Sequence, residues 1–92
     1  MINKEQFKIL NYVKKEEYTG SMDGMRYMIK KVDSEKMEVI IWPEPNSFGK
    51  TPEDLKTRKT FDLSALGVEQ AADYLNEEYT NQKKLWDISK IR

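Results

Sequence analysis

The stretch that decides the fold runs from Met25 to Trp42. It reads Met25-Arg26-Tyr27-Met28-Ile29-Lys30-Lys31-Val32, then Asp33-Ser34-Glu35-Lys36, then Met37-Glu38-Val39-Ile40-Ile41-Trp42. Both flanks are rich in β-branched, aromatic and methionine side chains, and the connection is short and polar. That combination predicts a β-hairpin. The simplest register sets Val32 opposite Met37, Lys31 opposite Glu38, Ile29 opposite Ile40 and Tyr27 opposite Trp42. It makes an opposite-charge pair and an aromatic pair, and such pairs stabilise a ladder. Pro43 ends the second strand because it has no amide hydrogen to donate. The unbroken run Val39-Ile40-Ile41-Trp42 suits a central strand.

Working outward, Thr57 to Leu63 reads as a third strand with Phe61 and Leu63 on its buried side. On the amino-terminal side, residues 4–17 read as a helix. Asn3 is a suitable N-cap, Gln6 completes a capping box, and Ile2 and Phe7 occupy the positions of a hydrophobic staple. Phe7, Leu10 and Val13 form its inward stripe, which Tyr18 can extend, with Ile9 beside it, and Gly20 stands beyond its end. A second helix starts at Ser64 or Gly67 and runs to about Trp86. Val68, Ala71, Ala72, Leu75, Tyr79 and Trp86 share or border one stripe of it. Glu69, Asp73 and Glu77 precede Lys83 and Lys84, an order that complements the helix dipole without requiring a function. The expected fold class is therefore α+β. The expected order is α-β-β-β-α, a three-stranded antiparallel meander packed with two helices in one domain spanning residues 1–92. Residues 43–56, which hold all three prolines, read as a long loop with a possible helical turn at Thr51-Pro52.

Composition narrows the chemistry. The 92 residues carry 16 basic and 16 acidic side chains, so the net charge is zero and any basic surface must be local. With no Cys, thiol nucleophiles, disulfides and thiolate metal sites are excluded. With no His, the commonest general base and metal ligand are missing, and so is any Ser-His-Asp triad for the five serines. The start of the chain has no apolar run of the kind a signal peptide needs, and Val39 to Trp42 is far too short to span a bilayer. A cytoplasmic protein with no cofactor and no membrane partner is the expectation.

The motifs that could carry chemistry are weak. Gly49-Lys50-Thr51 ends like a phosphate-binding loop, but Glu44 stands where its first glycine belongs. Asp23-Gly24 lacks the other spaced ligands of a calcium loop. The acidic pairs Glu16-Glu17, Glu53-Asp54 and Glu77-Glu78 show no convergence on one cleft, which acid–base catalysis requires. A carboxylate enzyme using Glu44 remains as the least favoured reading.

Two surfaces are candidates for binding. In the expected register, Tyr27, Ile29, Ile40 and Trp42 face the helices. Met28, Val32, Met37, Val39 and Ile41 then share the other face with Arg26 and Lys30. If both helices lie on one side, this face is an apolar patch rimmed by basic groups, the type of surface that forms interfaces. One helix on each side would leave no patch. The second candidate is the proline-stiffened loop bearing Trp42, Glu44, Phe48 and Lys50, read either as a recognition loop or as a crossover whose Trp42 and Phe48 plug the core. The leading expectation is a non-enzymatic interaction protein, binding an unidentified protein or itself as a homodimer. The alternative is a nucleic-acid accessory factor using Lys4, Lys8 and Lys15, or Arg26 and Lys30 near Tyr27.

Gly24-Met25-Arg26-Tyr27-Met28, Ile41-Trp42-Pro43-Glu44-Pro45, Lys50-Thr51-Pro52 and Tyr74-Leu75-Asn76 give most of the chain a resemblance to short uncharacterised proteins of conjugative transposons and related mobile elements in clostridia-like bacteria. The resemblance implies a bacterial accessory role and supplies no catalytic residue.

Overall fold

The computed structural model describes residues 2–3, 6–43, 49 and 56–90, with side chains described as far as Trp86. The described order is α1 (Leu10–Val13), β1 (Tyr18–Met22), β2 (Met25–Lys31), β3 (Lys36–Pro43), β4 (Thr57–Asp62), α2 (Ala65–Asn81) and α3 (Lys83–Lys90). The strands form one antiparallel meander in the order β1-β2-β3-β4. The α+β class and the meander agree with the expectation. The strand count does not, because the sheet has four strands and not three.

The extra strand occupies residues expected to end a helix and begin a loop. Tyr18 pairs with Ile29 and Met22 with Met25, joined by the two-residue turn Asp23-Gly24. Asp23 has φ 44° and Gly24 φ 102°. Two successive positive φ angles match the right-handed twist of hairpin strands, and Asp-Gly adopts them at low cost. The amino-terminal helix is correspondingly short. The Gln6 amide donates to the Asn3 carbonyl, but Phe7, Lys8 and Ile9 alternate buried, exposed, buried, which is the period of extended chain. Among the described residues before β1, helix appears at Leu10–Val13 alone.

The central hairpin is displaced by one residue from the simplest register. Its pairs are Arg26 with Trp42, Tyr27 with Ile41, Met28 with Ile40, Ile29 with Val39 and Lys30 with Glu38. The cause is the connection. The Asp33 carboxylate accepts hydrogen bonds from the amides of Glu35 and Lys36, at 2.8 and 2.9 Å. The Val32 amide donates to the Lys36 carbonyl at 2.9 Å, closing a loop of three residues where four were expected. A one-residue slip moves a strand's side chains to the opposite face. Met37, Val39 and Ile41 therefore join Met25, Tyr27 and Ile29 beneath the helices, and Ile40 and Trp42 lie on the other side.

All described helical segments cover that first face. Phe7, Ile9 and Val13 near the amino terminus, Val68, Ala71, Ala72 and Leu75 of α2, and Trp86 of α3 complete one core with it. The Ser64 hydroxyl caps α2 by accepting from the Gly67 amide at 3.1 Å. The single helix expected up to Trp86 breaks at Gln82, where φ is −117° and ψ 28°. After the break, the indole of Trp86 is buried and its Nε1 donates to the Glu78 carbonyl at 3.3 Å. The amino-terminal segment is tied to α2 by a reciprocal pair. The Ile2 amide donates to Asn76 Oδ1 at 2.8 Å, and Asn76 Nδ2 donates to the Ile2 carbonyl at 3.0 Å.

The first turn of α2 presses on the end of β4. A Cβ at Gly67 would stand 1.8 Å from the Asp62 carbonyl oxygen. Helix propensity alone favours alanine over glycine by about 1 kcal/mol. Gly67→Ala is nevertheless expected to destabilise by about 1–3 kcal/mol, because the obstacle is backbone and must be pushed aside. Asp33→Ala, which removes both loop hydrogen bonds, is expected to cost about 1 kcal/mol. Urea denaturation of the two variants tests both values, and a more stable Gly67→Ala protein would refute the close approach.

Candidate functional site

The sequence-derived surfaces do not survive as drawn. Of the proposed outer patch, Met37, Val39 and Ile41 are fully buried in the main core. Met28 does lie on the opposite face, but it is buried with Ile40 and Trp42 in a second cluster. Arg26 and Lys30 share that face and are half-buried. Val32 stands past the end of β2 and is 56% exposed. Apart from Val32, the described apolar side chains of the outer face are thus withdrawn from solvent, with Glu38 and Arg58 paired at 3.0 Å beside them. In the recognition loop, Trp42 belongs to β3 and is buried, with Met28 and Ile40 on the face opposite the main core. Glu44, Phe48 and Lys50, and the turn at Thr51-Pro52, lie outside the described residues.

The structure assembles a different surface. The end of α1 and the turn after it bring Tyr12, Lys14 and Lys15 beside Lys30 and Lys31 at the end of β2. Together with Val13, Glu16 and Glu17 they line an open hollow of about 760 Å³. Lys30 and Lys31 are consecutive strand residues, so they point to opposite faces and straddle the strand end. None of the four lysines forms an ion pair among the described residues. Tyr12 is 49% exposed, and its ring stands edge-on to Tyr18 with centroids 5.5 Å apart. Tyr18 in turn meets Phe7 edge-on at 5.7 Å and stacks on Tyr27 at 6.3 Å. The exposed ring is thus the outer end of an aromatic column rooted in the core.

The basic groupings foreseen from sequence separate in space. Lys15 lines the hollow, whereas Lys8 borders another, with Leu10, Val68 and Glu69. Lys4 lies outside the described residues. Arg26 and Lys30 project from the face opposite Tyr27. In the sequence the Lys-Lys pair occurs at 14–15, 30–31 and 83–84, and the first two of these line the hollow.

Among the described residues, no cluster of acidic side chains could hold a metal ion, and no helix is long and apolar enough to cross a membrane. No family model, curated protein or solved structure matches the chain.

Burial, followed by the neighbouring Tyr18, pushes the Tyr27 hydroxyl up to about 12. Burial, followed by the charge of Glu78, does the same for Tyr74. Each phenol therefore keeps its proton longer in the folded than in the unfolded chain, where it ionises near 10. Their contribution to stability is complete below about pH 10 and is lost as the pH rises towards 12. Absorbance at 295 nm is expected to show at least two tyrosines ionising only near pH 12 in the folded protein. Tyr27→Phe is expected to make the alkaline loss of stability shallower.

Proposed function

We propose that this protein is a non-catalytic binding module whose partner is a single-stranded nucleic acid, docked in the hollow lined by Lys14, Lys15, Lys30 and Lys31. The observation that carries this reading is the convergence of four lysines without ion-pair partners among the described residues around an exposed, braced tyrosine, in a chain whose net charge is zero. Lysines attract a phosphate backbone, and an exposed ring provides a platform on which a base stacks. Glu16 and Glu17 at the margin limit the positive area. A short single-stranded segment fits that limit better than a duplex does, since duplex binders neutralise many phosphates. Self-association through the outer sheet face has weaker support, because its described apolar residues are already buried. An accessory task in a mobile genetic element, which the sequence resemblance implies, is a setting in which such binding would be used.

The test is a fluorescence-anisotropy titration with a labelled single-stranded oligonucleotide at several salt concentrations. With up to four phosphates contacted, log K is expected to fall with log salt at a slope no steeper than about −3, at roughly 0.7 per phosphate. Lys14→Glu with Lys31→Glu should abolish binding, and Tyr12→Ala should weaken it by about 1–3 kcal/mol. A flat titration at low salt overturns the proposal.

A further inference from the structure

At the opposite edge of the sheet, β4 and α2 enclose a second hollow of about 450 Å³, lined by residues that include Lys59, Phe61, Gln70, Asp73, Tyr74 and Glu77. Lys59 and Phe61 share one face of β4, two residues apart, and Tyr74 reaches them from α2. The rings of Phe61 and Tyr74 are 5.6 Å apart and tilted by 54°. The Lys59 ammonium sits over both, 5.7 Å from the Phe61 centroid and 5.3 Å from that of Tyr74. It forms no ion pair among the described residues, although acidic side chains rim the hollow. Lys36 and Asp62 are paired with each other at one margin. Glu77 is exposed and forms no ion pair among the described residues.

We propose that this notch is a binding site for a trimethylammonium group, and that Lys59 is an internal occupant which the ligand displaces. Two ring faces and an acidic rim form a receptor for a cation, and a cation already occupies it. A primary ammonium is strongly hydrated, so it gives up much on entering an aromatic site. A quaternary ammonium is the cation that aromatic cages recognise best. Lys59 is exposed on an edge strand and can rotate away without disturbing the β4 ladder. The trimethylammonium group can belong to a free choline-type molecule or to a trimethylated lysine of another protein. Both present the same cation to the rings. This site is separate from the lysine-lined hollow, so either proposal can fail alone.

The experiment follows the ring-proton resonances of Phe61 and Tyr74 while the protein is titrated with choline chloride and, separately, with a short trimethyllysine peptide. Saturable shifts of both rings are expected. Lys59→Ala should tighten binding about two- to fivefold, the factor by which an exposed internal cation competes. Tyr74→Phe keeps the ring and should retain binding, whereas Tyr74→Leu should abolish it. Response to choline identifies a free head group as sufficient, and response to the peptide alone identifies a protein ligand. Either result supports the site. Absence of ring shifts with both probes in the native protein overturns it, as does equal or weaker binding by a Lys59→Ala variant that melts like the native protein.

Discussion

The Asp33 carboxylate, holding the amides of Glu35 and Lys36, closes the β2–β3 connection at three residues. The rest of the structure depends on that closure, because loop length sets register and register sets faces. With three residues, Val39 and Ile41 meet Ile29 and Tyr27 beneath α2, while Ile40 and Trp42 turn away. With four, the two sets would exchange. Ala71, Ala72 and Leu75 would then press on Ile40 and Trp42, and the indole would have to fit where β3 now presents only aliphatic chains. A main-chain bond from the same connection adds to the constraint, since the Leu63 amide just after β4 donates to the Glu35 carbonyl at 2.8 Å. That contact fixes where β4 ends and α2 begins, and Gly67 allows the two to touch.

The parts of the fold legible in the sequence were those with strong local patterns. The apolar run of β3 and the stripe of α2 are each set by residues within a turn or two of one another. The register was not legible from cross-strand pairing, because two registers offer acceptable pairs. Lys31 with Glu38 and Lys30 with Glu38 are electrostatically equivalent, so charge could not choose between them. Asp33 could have decided it, as an aspartate whose side chain folds back on the amides beyond it favours a tight turn. The amino-terminal segment misled for another reason. Phe7, Leu10 and Val13 satisfy a helical period, yet β2 needs an edge partner, and Tyr18 to Met22 can serve as one once Asp23-Gly24 turns the chain.

The candidate site follows the same logic. Its lysines come from two segments that are remote in sequence and become neighbours only because α1 is short and β1 doubles back along β2. A zero net charge hid the grouping, since acids balance the lysines over the whole chain, two of them at the margin of the hollow and others on α2 around Tyr74. One edge of the sheet is thus basic with a tyrosine exposed. The other carries acidic groups around a pair of rings. The two edges present opposite chemistry to solvent while the sheet between them is apolar on both sides.

The meander has a kinetic consequence. Every ladder joins strands adjacent along the chain, through two residues, three residues and the segment 44–56. Short separations lower the entropy lost before contacts form, so the sheet is the part that assembles early. The Ile2–Asn76 pair is the reverse case, closing over 74 positions. Contacts of that separation carry a larger loop-closure cost than the neighbouring ladders. Opening of the amino-terminal segment would uncover Phe7 and Ile9 and would leave every strand pairing intact, because none of the three ladders includes Ile2, Phe7 or Ile9.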